Sequence, residues 1–180
     1  MPEDLRRYGS VHEALRSEDD PLLTGRGRYT DDIDLPGQAW VAFTRSPLAH
    51  GQIRALQEAS AARMPGVIAV FTGADLAADG IGAIPPLVSF AGRGGKPMFS
   101  APIPVLAHGR VRYVGEPVAI VVAATAAQAI DAAEAVELDL EPLPAVSDVE
   151  RATAPGAPAV WSEAPDNVSL EWEDGDAAAV

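Results

Sequence analysis

Residues 117–142 read PVAIVVAATAAQAIDAAEAVELDLEP, and this stretch decides the fold class. Pro117 to Ala123 is an unbroken apolar run of strand length, expected to be buried on both faces. Thr125 is placed to cap a helix over Ala126 to Ala135, with Ala126, Ala129, Ile130 and Ala133 as its inward stripe and Gln128, Asp131 and Glu134 as its wet face. Val136 to Glu141 then alternates, with Val136, Leu138 and Leu140 inward and Glu137, Asp139 and Glu141 outward, until Pro142 and Pro144 end it. Strand, helix and strand follow one another within a few tens of residues.

Working outward, Gln38 to Thr44 and Gln52 to Leu56 read as strands separated by the break Ser46-Pro47. Glu58 to Met64 is predicted as a short helix stopped by Pro65-Gly66, and Val67 to Phe71 as a second strand buried on both faces. A helical turn is expected to begin at Thr72-Gly73-Ala74-Asp75. Pro104 to Leu106, Arg110 to Val114 and Val168 to Trp172 read as short strand pieces. Glu18-Asp19-Asp20-Pro21 reads as a turn, because a proline biases the residue before it away from helix. Glycine and proline interrupt every period between Asp79 and Ile103, so this segment is expected to be an irregular, mobile loop. Together the elements predict an α+β protein with short helices packed on one side of a mixed sheet.

Composition narrows the function. The chain has 180 residues, 26 acidic against 13 basic, and a net charge of -13. A phosphate-binding surface needs clustered Lys and Arg, so nucleic acid is not an expected partner, nor is an anionic membrane surface. No cysteine is present, which excludes disulfides, thiolate metal sites and a cysteine nucleophile within this sequence. The longest apolar run is too short for a membrane span, and Met1 to Arg7 holds no signal-like apolar core, so a cytoplasmic location is the default expectation.

No catalytic constellation emerges from spacing. Gly25-Arg26-Gly27-Arg28-Tyr29-Thr30 lacks the third glycine, the preceding strand and the following helix of a dinucleotide loop, and reads as a glycine-rich turn. His12, His50 and His108 have no ligand spacing. Asp31, Asp32 and Asp34 lack the glycine and closing glutamate of a calcium loop. No serine occupies a Gly-x-Ser-x-Gly elbow. Glu116, between Gly115 and Pro117, reads as a turn carboxylate accepting from nearby backbone or from Arg112 in an exposed pair; the competing reading makes it a proton acceptor facing substrate.

Five ordered segments carry a resemblance: RSEDDPLLTGRGRYTDD at 16–32, RSPLAHGQI at 45–53, MPGVIAVFTGADL at 64–76, VRYVGEPVA at 111–119 and EAVELDLEPLPAV at 134–146. In order and spacing they resemble the opening of the molybdopterin-binding large subunit of the xanthine dehydrogenase, aldehyde oxidase and aerobic carbon monoxide dehydrogenase family. Leu48 stands where that family often has an aromatic or His, and Leu140 where it often has Tyr. The resemblance implies an a/b hammerhead domain over 16–150, preceded by an N-terminal extension over 1–15. Residues 151–180 would lead toward a pterin-binding domain outside this sequence.

The family's pterin loops and active-site glutamate lie in that later region. The resemblance therefore assigns no catalytic, cofactor-binding or metal residue to this chain, which alone is expected to be inactive. It implies the hammerhead domain or small subunit of a molybdenum hydroxylase that places water-derived oxygen on an aldehyde, an N-heterocycle or a similar carbon. The parent enzyme would use molybdopterin cytosine dinucleotide, with iron–sulfur clusters and FAD on partner subunits. The alternative is a free-standing, non-catalytic binding or assembly module.

Overall fold

The computed structural model describes residues 16–175. Residues 1–15, with His12, and the last residues from Asp176 lie outside them. In chain order the elements are α1 (Asp19–Leu23), β1 (Trp40–Arg45), β2 (Gly51–Gln57), β3 (Val67–Thr72), α2 (Gly73–Ala78), β4 (Arg110–Val111), β5 (Pro117–Ala123), α3 (Ala126–Glu134), β6 (Glu137–Pro142) and α4 (Val149–Ala152). The chain divides into two compact units, Met1–Gln38 and Ala39–Val180. In the first, Pro21 lies inside α1 rather than ending a turn before it, because a proline in the first helical turn forgoes a hydrogen bond that would be missing anyway. There Arg26 also pairs with Asp20 at 2.5 Å.

The second unit is α+β, as the sequence reading holds. Its strands divide between two three-stranded sheets, β1-β5-β3 and β4-β2-β6, and every pairing is antiparallel. The apolar run Pro117–Ala123 becomes the central strand of the first sheet. Helix α3 covers one face of that sheet. Ala129, Ala132 and Ala133, with Val136 beyond the helix, meet Ala119 and Val121 of β5, and this i, i+3, i+4, i+7 spacing is one helical stripe. Ala132 thus takes the place expected for Ile130, which is exposed. Thr125 caps α3 as expected, its Oγ1 accepting from the Gln128 amide at 3.3 Å. The Thr44 hydroxyl donates to the Ala133 carbonyl at 2.7 Å and ties α3 to β1. Gln128 is half-buried rather than wet because it packs over Gly66. A β-carbon on Gly66 would fall 2.2 Å from Gln128 Oε1, and φ there is +81°.

Other expectations are corrected. Glu58 to Met64 forms only a 3-10 turn over Ala61–Arg63, since β2 ends at Gln57 and Pro65 follows too soon to repay helix nucleation. β3 is an edge strand with Ile68 and Phe71 exposed, not a strand buried on both faces. Pro104 to Leu106 pairs with nothing as a strand, and Arg110 to Val114 shrinks to the two residues of β4 because the chain turns at Tyr113–Gly115. Val168 to Trp172 forms no named strand. Residues after Ser147 contain a helical turn, α4, capped by the Asp148 carboxylate accepting from Glu150 N at 2.9 Å. Thr72 caps α2, and its hydroxyl and amide together hold the Asp75 carboxyl below the usual carboxylate range.

The irregular segment 79–103 has internal order. Ile84 N donates to Ile103 O at 2.8 Å, Met98 N to Phe90 O at 3.1 Å and Gly92 N to Lys96 O at 2.7 Å, which folds the loop back on itself around Arg93–Gly95. Residues 169–171 run alongside, with Phe99 N donating to Ser169 O at 2.8 Å and Arg93 N to Glu171 O at 2.7 Å. Amide exchange in the isolated chain is therefore expected to be slower at Ile84, Gly92, Arg93, Met98 and Phe99 than at Leu87 and Val88. A single uniform rate across 79–103, fast or slow, contradicts this.

Candidate functional site

Among the described residues of the second unit, the polar side chains that leave solvent are Ser46, His50 and Glu116, with 2%, 7% and 2% of their surface exposed. All three lie in the segments RSPLAHGQI and VRYVGEPVA. The turn between β4 and β5 places Glu116. Gly115 adopts φ +86°, a conformation that strains any residue with a β-carbon. This turns the chain so that Gly115 N donates to Ser46 O at 2.8 Å and Ser46 N donates to Glu116 O at 2.9 Å. Arg45 reaches the Gly115 carbonyl through Nη1 at 2.9 Å. The end of β1 and the start of β5 are thereby zipped together where their strand register shifts, between Thr44 and Arg45.

The Glu116 side chain turns inward, and its Oε2 accepts a hydrogen bond from the backbone amide of Arg112. The sequence reading expected either this or an exposed pair with the Arg112 side chain. The structure gives the backbone bond, in a buried position. The Arg112 guanidinium goes elsewhere and stacks over the Trp161 ring, 3.6 Å from its centroid. Burial lowers the Arg112 guanidinium below its ordinary value, and the Glu116 carboxylate opposes that shift. Trp161 in turn packs against Phe99 at 6.2 Å between ring centroids. Both rings line a cavity of about 330 Å³ with Val149, Val160 and Asn167. Asn167 holds this wall together. Its Nδ2 donates to Ala152 O at 2.8 Å and Pro158 O at 3.0 Å, and its Oδ1 accepts from Val160 N at 2.9 Å.

Ser46 closes its own turn, donating to Leu48 O at 2.9 Å and accepting from Leu48 N at 3.1 Å. His50 lies 2.7 Å from the Pro144 carbonyl through Nδ1. A carbonyl only accepts, so Nδ1 carries the proton. The His50 carbonyl also accepts from Leu143 N at 3.0 Å, so this residue pins the chain leaving β6. Its Nε2 finds no partner among the described residues.

The structure does not gather the other sequence candidates. His108 is exposed, and Gly25 to Thr30 forms the link between α1 and the 3-10 turn Thr30–Asp32. Among the described residues, no three His, Asp or Glu side chains are grouped as metal ligands would be. What the arrangement does chemically is satisfy backbone groups: the buried Ser46, His50 and Glu116 side chains each bond to main chain. Sequence reasoning missed Trp161 and Asn167, which sit in a proline-rich stretch with no period to mark them.

Removing the Glu116 carboxylate strands the Arg112 amide. Glu116→Ala is expected to cost about 2 kcal/mol in urea unfolding, the scale of an unsatisfied buried donor, and Glu116→Gln less because it keeps an acceptor. Equal losses for the two variants contradict the assigned bond.

The family model described as "Aldehyde oxidase and xanthine dehydrogenase, a/b hammerhead domain" matches residues 24–144. The chain is 44% identical over 157 residues to the nicotine 6-hydroxylase large subunit of Paenarthrobacter nicotinovorans, covering 86% of this chain and 18% of that protein. It is 34% identical over 140 residues to the xanthine dehydrogenase molybdenum-binding subunit of Escherichia coli O157:H7, covering 75% of this chain and 17% of that one. Among solved structures, CO dehydrogenase from Oligotropha carboxidovorans superposes with a TM-score of 0.67 at 38% identity, covering 79% of this chain and 16% of that chain. The chain thus spans less than a fifth of the length of these relatives.

Proposed function

Because the chain belongs to the a/b hammerhead domain family of aldehyde oxidases and xanthine dehydrogenases, we propose that it acts as the hammerhead domain or small subunit of a molybdenum hydroxylase, with a structural and assembly role. The observation that carries this reading is the direction of the polar side chains in the family-like segments. Ser46, His50 and Glu116 face inward and bond to main chain. They hold the fold and present no reactive group to a substrate.

In this proposal residues 16–150 form the hammerhead domain, 1–15 an extension, and 151–180 the connection toward the pterin-binding region. No residue here is catalytic or binds cofactor or metal. Molybdopterin cytosine dinucleotide is held by the pterin-binding domain or subunit, and iron–sulfur clusters and FAD by further subunits. When bound, the molybdenum group supplies the transfer of water-derived oxygen to an aldehyde, an N-heterocycle or a similar carbon. The assembled enzyme is cytoplasmic; among the described residues no helix is long and apolar enough to cross a membrane.

Affinity purification of the tagged chain from its native host tests this. The expected result is a complex that contains molybdenum and oxidises an aldehyde or N-heterocycle, while the isolated chain shows no turnover with an artificial electron acceptor. Turnover by the isolated chain contradicts the structural role. A stable complex with an unrelated, molybdenum-free partner favours the free-standing module instead.

A further inference from the structure

Within the second unit, the first sheet has a second face that the described residues leave largely open, apart from the Arg45 guanidinium 5.1 Å from the Phe43 ring centroid. On β5, Ala119, Val121 and Ala123 are buried, and Ala119 and Val121 pack in the cluster that α3 completes. The alternate residues Ile120 and Val122 point the other way, and the open face begins beyond Val118, which is buried with Ala107 and Val111. The register aligns them with apolar neighbours on both sides. Phe43, Ile120 and Phe71 form one cross-strand row, and Val41, Val122 and Ala69 form the next. Val41, Phe43 and Phe71 are 52%, 42% and 40% exposed, and Ile120 and Val122 stay half-buried although strands flank them on both sides. The three strands carry a single charged residue, Arg45 at the end of β1, in a chain of net charge -13. The patch runs on beside the free edge of β1 into a groove of about 700 Å³ between Phe43, Ile130 and Leu138.

A contiguous apolar patch of this kind marks an interaction surface, whereas scattered exposed hydrophobics do not. Two considerations choose the occupant. A second copy of this chain would bring another net charge of -13 alongside the first, and such like-charged bodies repel. The relatives, in contrast, carry more than four-fifths of their length beyond the part this chain matches. We propose that the Val41, Phe43, Ile120, Val122 and Phe71 face of the β1-β5-β3 sheet is the docking surface for the molybdenum-binding polypeptide. This rests on the function proposed above and names the surface through which it operates. Docking there buries the aromatic rings of Phe43 and Phe71 and leaves the acidic exterior, including the wet face of β6, in solvent.

The absence of cysteine makes a clean test possible. Val41→Cys and Phe71→Cys each place one thiol on this chain at the patch, and Glu137→Cys places one on the exposed side of β6. Maleimide labelling of this chain, read by peptide mass spectrometry, is compared between the isolated chain and the purified molybdenum-containing assembly. Circular dichroism checks that each variant folds, and two patch positions guard against loss of either. The expected result is labelling slowed roughly tenfold or more at both patch positions on assembly, as for a residue buried in an interface core, with Glu137→Cys unchanged. Labelling of both patch thiols in the assembly at the rate of the isolated chain overturns this surface but leaves the function standing. Protection that already appears in the isolated chain and grows with its concentration assigns the face to a second copy and also overturns it. Failure to recover any molybdenum-containing assembly sinks the functional reading and this inference with it.

Discussion

The hydrogen bond from the Arg112 amide to the buried Glu116 carboxylate closes the turn on which the two sheets depend. Arg110 and Val111, just before this turn, pair with β2 in the second sheet, and Pro117, just after it, begins the central strand of the first. Between them Gly115 and Glu116 bond to Ser46 at the end of β1. One short turn therefore fixes where β4 of the second sheet stops and where β5 of the first begins, and ties both to the end of β1. A carboxylate suits the position because a charged acceptor makes a stronger bond to a backbone N–H than a neutral one. The same turn sends the Arg112 guanidinium onto Trp161, a cation–π contact of about 1 kcal/mol, and so brings the C-terminal loop against the domain.

Around this joint the core is made of small residues. Its largest fully buried side chains are Val111, Val118 and Val121, and the helix contributes alanines. Small side chains let α3 lie close on the sheet, but each buries little apolar area, so packing supplies modest stability per residue. Leucines such as Leu56 and Leu138 only flank this core, and several large apolar residues are exposed: Phe43 and Phe71 on the open sheet face, and Leu87 and Phe90 on the 79–103 loop. A chain arranged this way gains most from being covered by another polypeptide, which agrees with an assembly role and with the share of its relatives that it spans.

Much of this was legible in the sequence because periodicity and local chemistry act at short range. The apolar run marks both ends of β5, and pattern alone carries the Thr125 cap and the alternation of β6. Pattern could not tell which alanine stripe α3 buries, since a helix rich in alanine looks much the same from several sides. It also overstated burial for β3, because a run such as Val67 to Phe71 looks identical whether its second face is covered within this chain or by a partner. Glu116 was singled out by its place between Gly115 and Pro117, but its burial was not, since that depends on Ser46, far away in sequence. Trp161 and Asn167 act through contacts across a loop with no period, so only the folded structure reveals them.

The central claim is that Glu116 and the buried polar groups around it hold the fold and take no part in chemistry. Replacement of Glu116 by Gln in the assembled enzyme tests it most directly, with turnover, molybdenum content and folding measured on the same preparation. The account predicts normal molybdenum content, a small drop in unfolding temperature and turnover within about threefold of the unaltered enzyme, since no proton-transfer step loses its group. A loss of turnover of about a hundredfold or more, with folding and molybdenum content intact, contradicts it and makes Glu116 a catalytic acid or base.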